Sequence, residues 1–197
     1  MQKTNISWSD VVWNPTTGCT KIAQGCKNCY AETMFNRLSK MDFKGNIYKG
    51  RKFTDVRIHP ERLEEPYNWK KPCMVFVNSM ADLFHERVPF DTIHEIWDII
   101  KARPQHIFQV LTKRPERMKE SLELIYKLEL LGYSQGFWNH VWLGVSVSTQ
   151  ADADKNIPIL LQTPSAVRWV SVEPMLEEID LRKYIHKLNW IVVGAES

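Results

Sequence analysis

No apolar run in this chain of 197 residues is long enough to cross a bilayer. The longest, such as Met74 to Val77 and Ile157 to Leu161, fall far short of the roughly 20 residues that a spanning helix needs. The first residues, Met1-Gln-Lys-Thr-Asn-Ile-Ser-Trp8, hold no apolar stretch of signal-peptide length. A reducing, cytoplasmic compartment is the expectation, so the four cysteines are read as thiols and the sequon at Asn5-Ile-Ser7 as without consequence. Neither sign of charge dominates. The 26 Lys and Arg against 23 Asp and Glu leave a net charge of +3, too little to mark a nucleic-acid binder through charge alone. Repeats and low-complexity segments are missing as well, which excludes solenoids and linker-like chains. What is present, 44% hydrophobic and 25% charged residues, is the balance of a soluble globular protein with one core.

Strand-like runs recur, each followed by polar residues and then a segment of helical spacing. They are Ser9 to Trp13, Met74 to Val77, His106 to Leu111, Val141 to Val147, Val167 to Val172 and Trp190 to Val193. Between them, Ala31, Met34, Phe35, Leu38 and Met41 share one helical face, as do Ile93, Ile96, Trp97 and Ile100. Thr92 and Glu95 have capping-box spacing, and Pro115 and Gly132 fit the start and stop of a further helix. Thr149 to Asn156 reads as a helix that Pro158 interrupts, and Leu181 to Leu188 as a short one. Six βα units in a row predict a single domain over residues 1–197, an α/β partial (β/α)6 barrel with its helices outside. A doubly wound open sheet is the alternative. The chain stops four residues after the sixth strand with no helix to cover it, which reads as truncation of something longer.

Cys19, Cys26 and Cys29 lie between the first strand and the first helix in the spacing C-x6-C-x2-C. Thiolates are soft ligands, and three on one loop can converge on a metal centre. Gly18 and Gly25 allow that loop to wrap around a bulky group. Structural zinc takes four protein ligands, whereas three thiolates on a [4Fe–4S] cluster leave one iron open. Cys73 begins its strand and so belongs to the opposite rim, as a core thiol. His85, after the same strand, lies on the cysteine side and is a candidate fourth ligand for zinc.

Function in such folds concentrates where strands end at their carboxyl sides. Those ends are polar here: Asn78, Ser79 and Asp82, then Lys113 and Arg114, then Ser146 and Ser148, then Glu173, and last Glu196. Between the first helix and the second strand, a basic insertion at about 42–70 carries Lys44, Lys49, Arg51, Lys52 and Arg57 interleaved with Phe43, Tyr48 and Phe53. Cations with aromatic faces are a nucleic-acid pattern. Most tryptophans, including Trp69, Trp97, Trp142, Trp169 and Trp190, fall on strand or helix faces and read as core. Trp8 and Trp13 flank the cysteine loop and read as its shield.

The motifs Gly-Cys…Gly-Cys-x-x-Cys-Tyr-Ala (18–31), Val-Asn-Ser-Met-Ala-Asp-Leu-Phe-His (77–85), Leu-Thr-Lys-Arg-Pro (111–115), Leu-Gly-Val-Ser-Val (143–147), Ser-Val-Glu-Pro-Met (171–175) and Val-Gly-Ala-Glu-Ser (193–197) together resemble an uncharacterised family common in phages and prophages. That family is in turn similar to radical S-adenosylmethionine (SAM) enzymes, which build a six-unit partial barrel with three cysteines after the first strand. Their usual spacing is C-x3-C-x2-C with an aromatic residue before the last cysteine; here the first gap is six and Tyr30 follows it. The resemblance implies a [4Fe–4S] cluster on Cys19, Cys26 and Cys29, with SAM on its open iron, an external electron donor and an unknown substrate. The SAM carboxylate would meet Lys113 or Arg114, its ammonium Ser79 and Asp82, and its ribose Ser146, Ser148 or Glu173. A competing reading is a zinc-stabilised nucleic-acid-binding module using the same cysteines, His85 and the basic insertion.

Overall fold

The computed structural model describes residues 2–130 and 139–194. Along them run β1 (Gln2–Lys3), β2 (Val11–Trp13), β3 (Thr16–Thr17), α1 (Tyr30–Leu38), β4 (Arg57–Ile58), α2 (Pro60–Leu63), β5 (Met74–Val77), α3 (Phe90–Lys101), β6 (Ile107–Thr112), α4 (Pro115–Leu130), β7 (Val141–Ser146), α5 (Gln150–Gln162), β8 (Val167–Val172) and β9 (Trp190–Val193). One sheet has the order β1-β2-β5-β6-β7-β8-β9. From β2 onward every pair is parallel, and β1 runs antiparallel along the outer side of β2. The six parallel strands are those indicated by the apolar runs, and they lie side by side in chain order.

Residue alternation explains the layers. Val75, Val77, Phe108, Val110, Leu143, Val145, Val170 and Val172 form a single core with Ile93, Ile96, Trp97 and Ile100 of α3, Met118, Leu122 and Ile125 of α4, and Ile157 and Leu160 of α5. All three long helices therefore cover the same face of the sheet, and the strand order never reverses. A doubly wound sheet would need helices on both faces and a reversal point. The opposite face carries Phe76, Gln109, Trp142, Trp169 and Trp190, each one residue out of phase with the core set along its strand.

That face is concave. The Trp8 ring lies 4.7 Å from Phe76 on β5 and 5.8 Å from Trp190 on β9, centroid to centroid. Four strand spacings separate β5 from β9, about 19 Å in a flat sheet. One indole can touch both only if the sheet curls around it. The curl does not close, since β1 and β9 each pair on one side only among the described residues. The result is an open, curved, six-strand parallel sheet. Gly144 makes the tightest part possible: a Cβ there would stand 2.5 Å from the Trp169 ring.

Several local expectations are corrected. The capping box at Thr92 and Glu95 is not used, because the N-cap of α3 is Pro89, three residues earlier. Pro158 does not interrupt α5, which runs on to Gln162. A proline inside a helix costs about 3 kcal/mol, which the burial of Ala153, Asn156, Ile157 and Leu160 on the sheet outweighs. The expected helix over Leu181 to Leu188 is only a 3-10 turn at Ile185–Lys187; its apolar spacing reflects Leu181 and Leu188 packing separately on the core. Gly132 lies outside the described residues.

Candidate metal centre

Three segments build the site: the loop after β2 with the cysteines, the loop after β5, and the carboxyl ends of β6, β7 and β8. Together they line a cavity of about 420 Å³. Cys19, Cys26, Cys29, Ser79, Asp82, Lys113, Arg114, Ser146 and Glu173 all line it, so nine of the sequence-selected residues meet in one place. Ser148 does not join them: it is fully buried behind Gly25. Glu196 lies outside the described residues. Cys73 stands at the opposite rim with its sulfur 3.3 Å from His106 Nδ1, as its place at the start of β5 requires.

The long first gap between the cysteines is held at each end. Gly18, at φ +92°, has no room for a Cβ, which would stand 2.6 Å from the Asp55 carbonyl oxygen and 2.8 Å from that of Phe53. Its N–H donates to the Met80 carbonyl, and the Cys19 N–H to that of Phe53. Gln24–Cys26 forms a 3-10 turn, and Gly25 presses so closely on Ser148 that a Cβ would collide with its hydroxyl. Lys21 donates to the Lys27 carbonyl and pairs with Glu32, which fastens the turn to α1. Cys29 is the N-cap residue of α1 and makes no side-chain capping bond, so its sulfur is not spent on the helix.

Asp82 and Arg114 form a closed network at the rim. The two Asp82 oxygens accept from Thr112 Oγ1 at 2.7 Å, the Phe84 N–H at 3.0 Å, the Lys113 N–H at 3.2 Å and Arg114 Nη1 at 3.1 Å. Four acceptances saturate a carboxylate, so Asp82 is not the acceptor expected for a ligand ammonium. Arg114 donates from Nε to Glu86, from Nη1 to Asp82 and the Cys19 sulfur, and from Nη2 to the Thr20 carbonyl and hydroxyl. All five donors are taken. The choice between Lys113 and Arg114 as the cation for a ligand anion therefore falls to Lys113, whose Nζ donates among the described residues to Ser146 Oγ, at 2.6 Å.

A polar wall follows from register. Ser146 and Ser171 are neighbours across β7 and β8, and Glu173 lies two residues beyond Ser171 on the same side. Ser171 Oγ donates to Glu173 Oε2, and Ser146 Oγ to the Glu173 carbonyl. On the other side Asn78 takes φ 61°, which Asn tolerates better than most residues. It is 3% exposed, lines the cavity, and its Nδ2 has no partner among the described residues. Asn14, one residue past β2, accepts from Ser79 Oγ and the Met80 N–H. Asn78 joins the cavity wall from the strand end where the sequence places it, whereas Ser171 as a wall, and Asn14 behind it, are not among the residues the sequence points to. The end of the first strand and the period-two partner of Glu173 were the signals that could have found them.

Burial is the largest influence on the Cys19 thiol, and with the Asp82 charge it pushes the pKa to about 11 against the lowering effect of Arg114. A cationic centre is what would make this sulfur a thiolate. Among the described residues, no three His, Cys, Asp or Glu side chains converge closely enough to hold a metal ion as they stand. A single zinc ion needs its sulfurs crowded at about 2.3 Å around one point. A multi-iron cluster instead spreads its thiolates over its own corners, which three free cysteines around one cavity can meet. The donor set, three soft sulfurs without a fourth, fits such a cluster.

His85 is bound elsewhere. Its Nδ1 accepts from the Arg87 N–H at 3.1 Å, so Nε2 carries the proton and donates to Thr20 Oγ1 at 2.9 Å. Burial, and then the charge of Arg114, lower its pKa and keep it neutral. No lone pair is left for the zinc role expected of it. The basic insertion is divided: Lys44, Lys49, Lys52 and Arg57 stay exposed, while its aromatic residues Tyr48 and Phe53 and the Arg51 side chain turn inward. Tyr48 and Phe53 are buried with Phe35 and Met80, a small core on which Cys19 and Cys29 also pack. The Arg51 side chain, 5% exposed, bonds Asp55, Thr17 and the Ile47 carbonyl. Lys49 pairs with Asp42 and Arg57 with Asp55. Of the aromatic faces expected to stack on bases, only Phe43 is exposed. The insertion supports the cysteine loop.

Trp13 is not a shield for that loop: it is fully buried and donates to the Arg62 carbonyl. Trp8 does border the cavity, as its floor. No helix among the described residues is long and apolar enough to cross a membrane. No curated protein and no solved structure matches the chain. A family model does, over residues 3–197, and the chain therefore belongs to the family described as protein of unknown function DUF5131.

Proposed function

We propose that this protein is an iron–sulfur enzyme of the radical-SAM kind, with its resemblance to phage and prophage proteins. Cys19, Cys26 and Cys29 would hold a [4Fe–4S] cluster, and the cavity beside them would take SAM. When bound, such a cluster supplies an open iron and one electron, drawn from an external donor, with which the SAM sulfonium is cleaved to start radical chemistry on a substrate. The observation that carries this reading is the meeting of three free thiols with a polar wall around one cavity, at the carboxyl rim of a curved sheet in chain order.

The residues divide the remaining work. Lys113 places a cation for a carboxylate, and the unpartnered Asn78 Nδ2 adds a neutral donor. Ser171 and Glu173 present acceptors suited to ribose hydroxyls. Trp8, Phe76, Phe53 and Leu111 supply the apolar part of the lining, which keeps water from the reacting centre. Arg114 and Asp82 are saturated by each other and by the cysteine loop, and hold the frame.

The test is iron and acid-labile sulfide in protein purified without oxygen, beside the Cys26→Ala variant. Near-equal iron and sulfide that vanish in the variant are expected, followed by 5′-deoxyadenosine formed from SAM under reduction. Zinc without sulfide, or a loaded protein that leaves SAM intact, would sink the reading.

A further inference from the structure

We propose that Arg114 sets the electron affinity of the cysteine-bound centre, through its hydrogen bond to the Cys19 sulfur and the charge it holds beside it. The inference rests on the cluster reading above and names a residue that acts on the centre from the protein side. Arg114 Nη1 stands 3.5 Å from the Cys19 sulfur, and the Arg114 side chain is 9% exposed. Its other donors fix it from three directions: Asp82 from the loop after β5, Glu86 from the same loop, and Thr20 from the cysteine loop. The Cys19 thiol points toward the Thr20 carbonyl at 3.5 Å, and Arg114 Nη2 donates to that carbonyl as well. Loss of the thiol proton on metal binding would leave the sulfur as acceptor only, with the guanidinium as its nearest donor.

The physical consequence has a definite sign. A reduced cluster carries one more negative charge than an oxidised one, and both a nearby cation and N–H donors to its sulfurs stabilise the reduced form. Arg114 therefore raises the midpoint potential. Its two carboxylate partners are unequal: the Asp82 side chain is 8% exposed and the Glu86 side chain 60%. Neutralising Glu86 would leave more of the guanidinium charge uncompensated, so that change should raise the potential further, opposite in sign to the loss of Arg114.

The experiment is an EPR-monitored redox titration of the reconstituted full chain, with iron and sulfide measured on the same samples, for wild type, Arg114→Gln, Arg114→Lys and Glu86→Gln. The expected result is a lower midpoint for Arg114→Gln, a smaller drop for Arg114→Lys, which keeps the charge and loses the fork, and a small rise for Glu86→Gln. Should Arg114→Gln fold, by its thermal transition, yet hold no cluster, Cys19 depends on Arg114 for its position, and the Lys and Glu86 variants still report the sign. Midpoints unchanged across the loaded variants would overturn the role of Arg114 alone. A wild-type chain without iron and sulfide would instead overturn the cluster reading beneath it.

Discussion

The two ends of the sheet each hold a cavity, and their linings have almost nothing in common. The one at the carboxyl ends of the strands, about 420 Å³, is walled by three thiols, Lys113, Ser171 and Glu173. The one at the amino ends, about 550 Å³, is lined largely by Trp8, Trp142, Trp190, Met74 and Val167. Trp8 belongs to both and separates them. Even a shared residue type differs in use, since Cys73 and His106 contact each other at the amino rim while Cys19 and His85 are tied into the Arg114 network at the other. Loops that follow strands carry the reactive groups, and loops that precede them carry packing.

The contrast breaks most visibly at the cysteines. Cys26→Ala should remove all bound iron, whereas Cys73→Ala should leave iron content unchanged; iron lost from both would erase the distinction between the rims. Next in size is the partition itself. Trp8→Ala should cost about 3 kcal/mol in urea unfolding, because it removes the ring that Phe76, Trp169 and Trp190 all touch. A cost below about 1 kcal/mol would mean that the sheet does not depend on its filler.

A smaller effect sharpens the carboxyl rim. Gly25→Ala should destabilise by about 1–3 kcal/mol and lower iron loading, since the new methyl meets Ser148. The Ser148 hydroxyl is buried without a partner among the described residues, so Ser148→Ala alone should be near neutral. Ser148→Gly added to Gly25→Ala should restore loading; no recovery in that pair would refute the contact as the cause.

The smallest effect concerns pH at the amino rim. Burial first, and then Arg103, hold the His106 pKa below its ordinary 6.5. The unfolded chain therefore takes up this proton first as pH falls. The stability contributed is full above about pH 6.5 and declines below it, through the lowered folded pKa. His106→Asn should flatten the melting temperature between pH 7 and 5 relative to wild type; identical slopes would acquit this histidine.

The strands were legible because parallel strands buried on one face and half-buried on the other read as short apolar runs. The cysteine loop is legible because thiols are rare and three of the four fall between one strand and one helix. The insertion is only half legible for a physical reason: Lys and Arg beside Phe and Tyr describe a nucleic-acid surface and a small core capped by paired cations equally well. The inward turn of Tyr48, Phe53 and Arg51 reveals the core, while Lys44, Lys49, Lys52 and Arg57 remain at the surface. Pro158 was misread because a local rule was applied where burial decided. Arg114 was selected for the right place and the wrong task, since the exhaustion of its donors depends on Thr20, Asp82 and Glu86, far from it in sequence.

The order of the strands has a consequence for synthesis. Each parallel strand pairs with the one made just before it, so the sheet can grow unit by unit as the chain leaves the ribosome. The cysteine loop cannot mature on that schedule. Cys19 waits 95 residues for Arg114, and Gly25 longer still for the Ser148 hydroxyl against which it rests. The thiols emerge first and are locked late, so a nascent chain carries an open cysteine loop until most of the protein exists, and the cluster proposed for it would be inserted after translation.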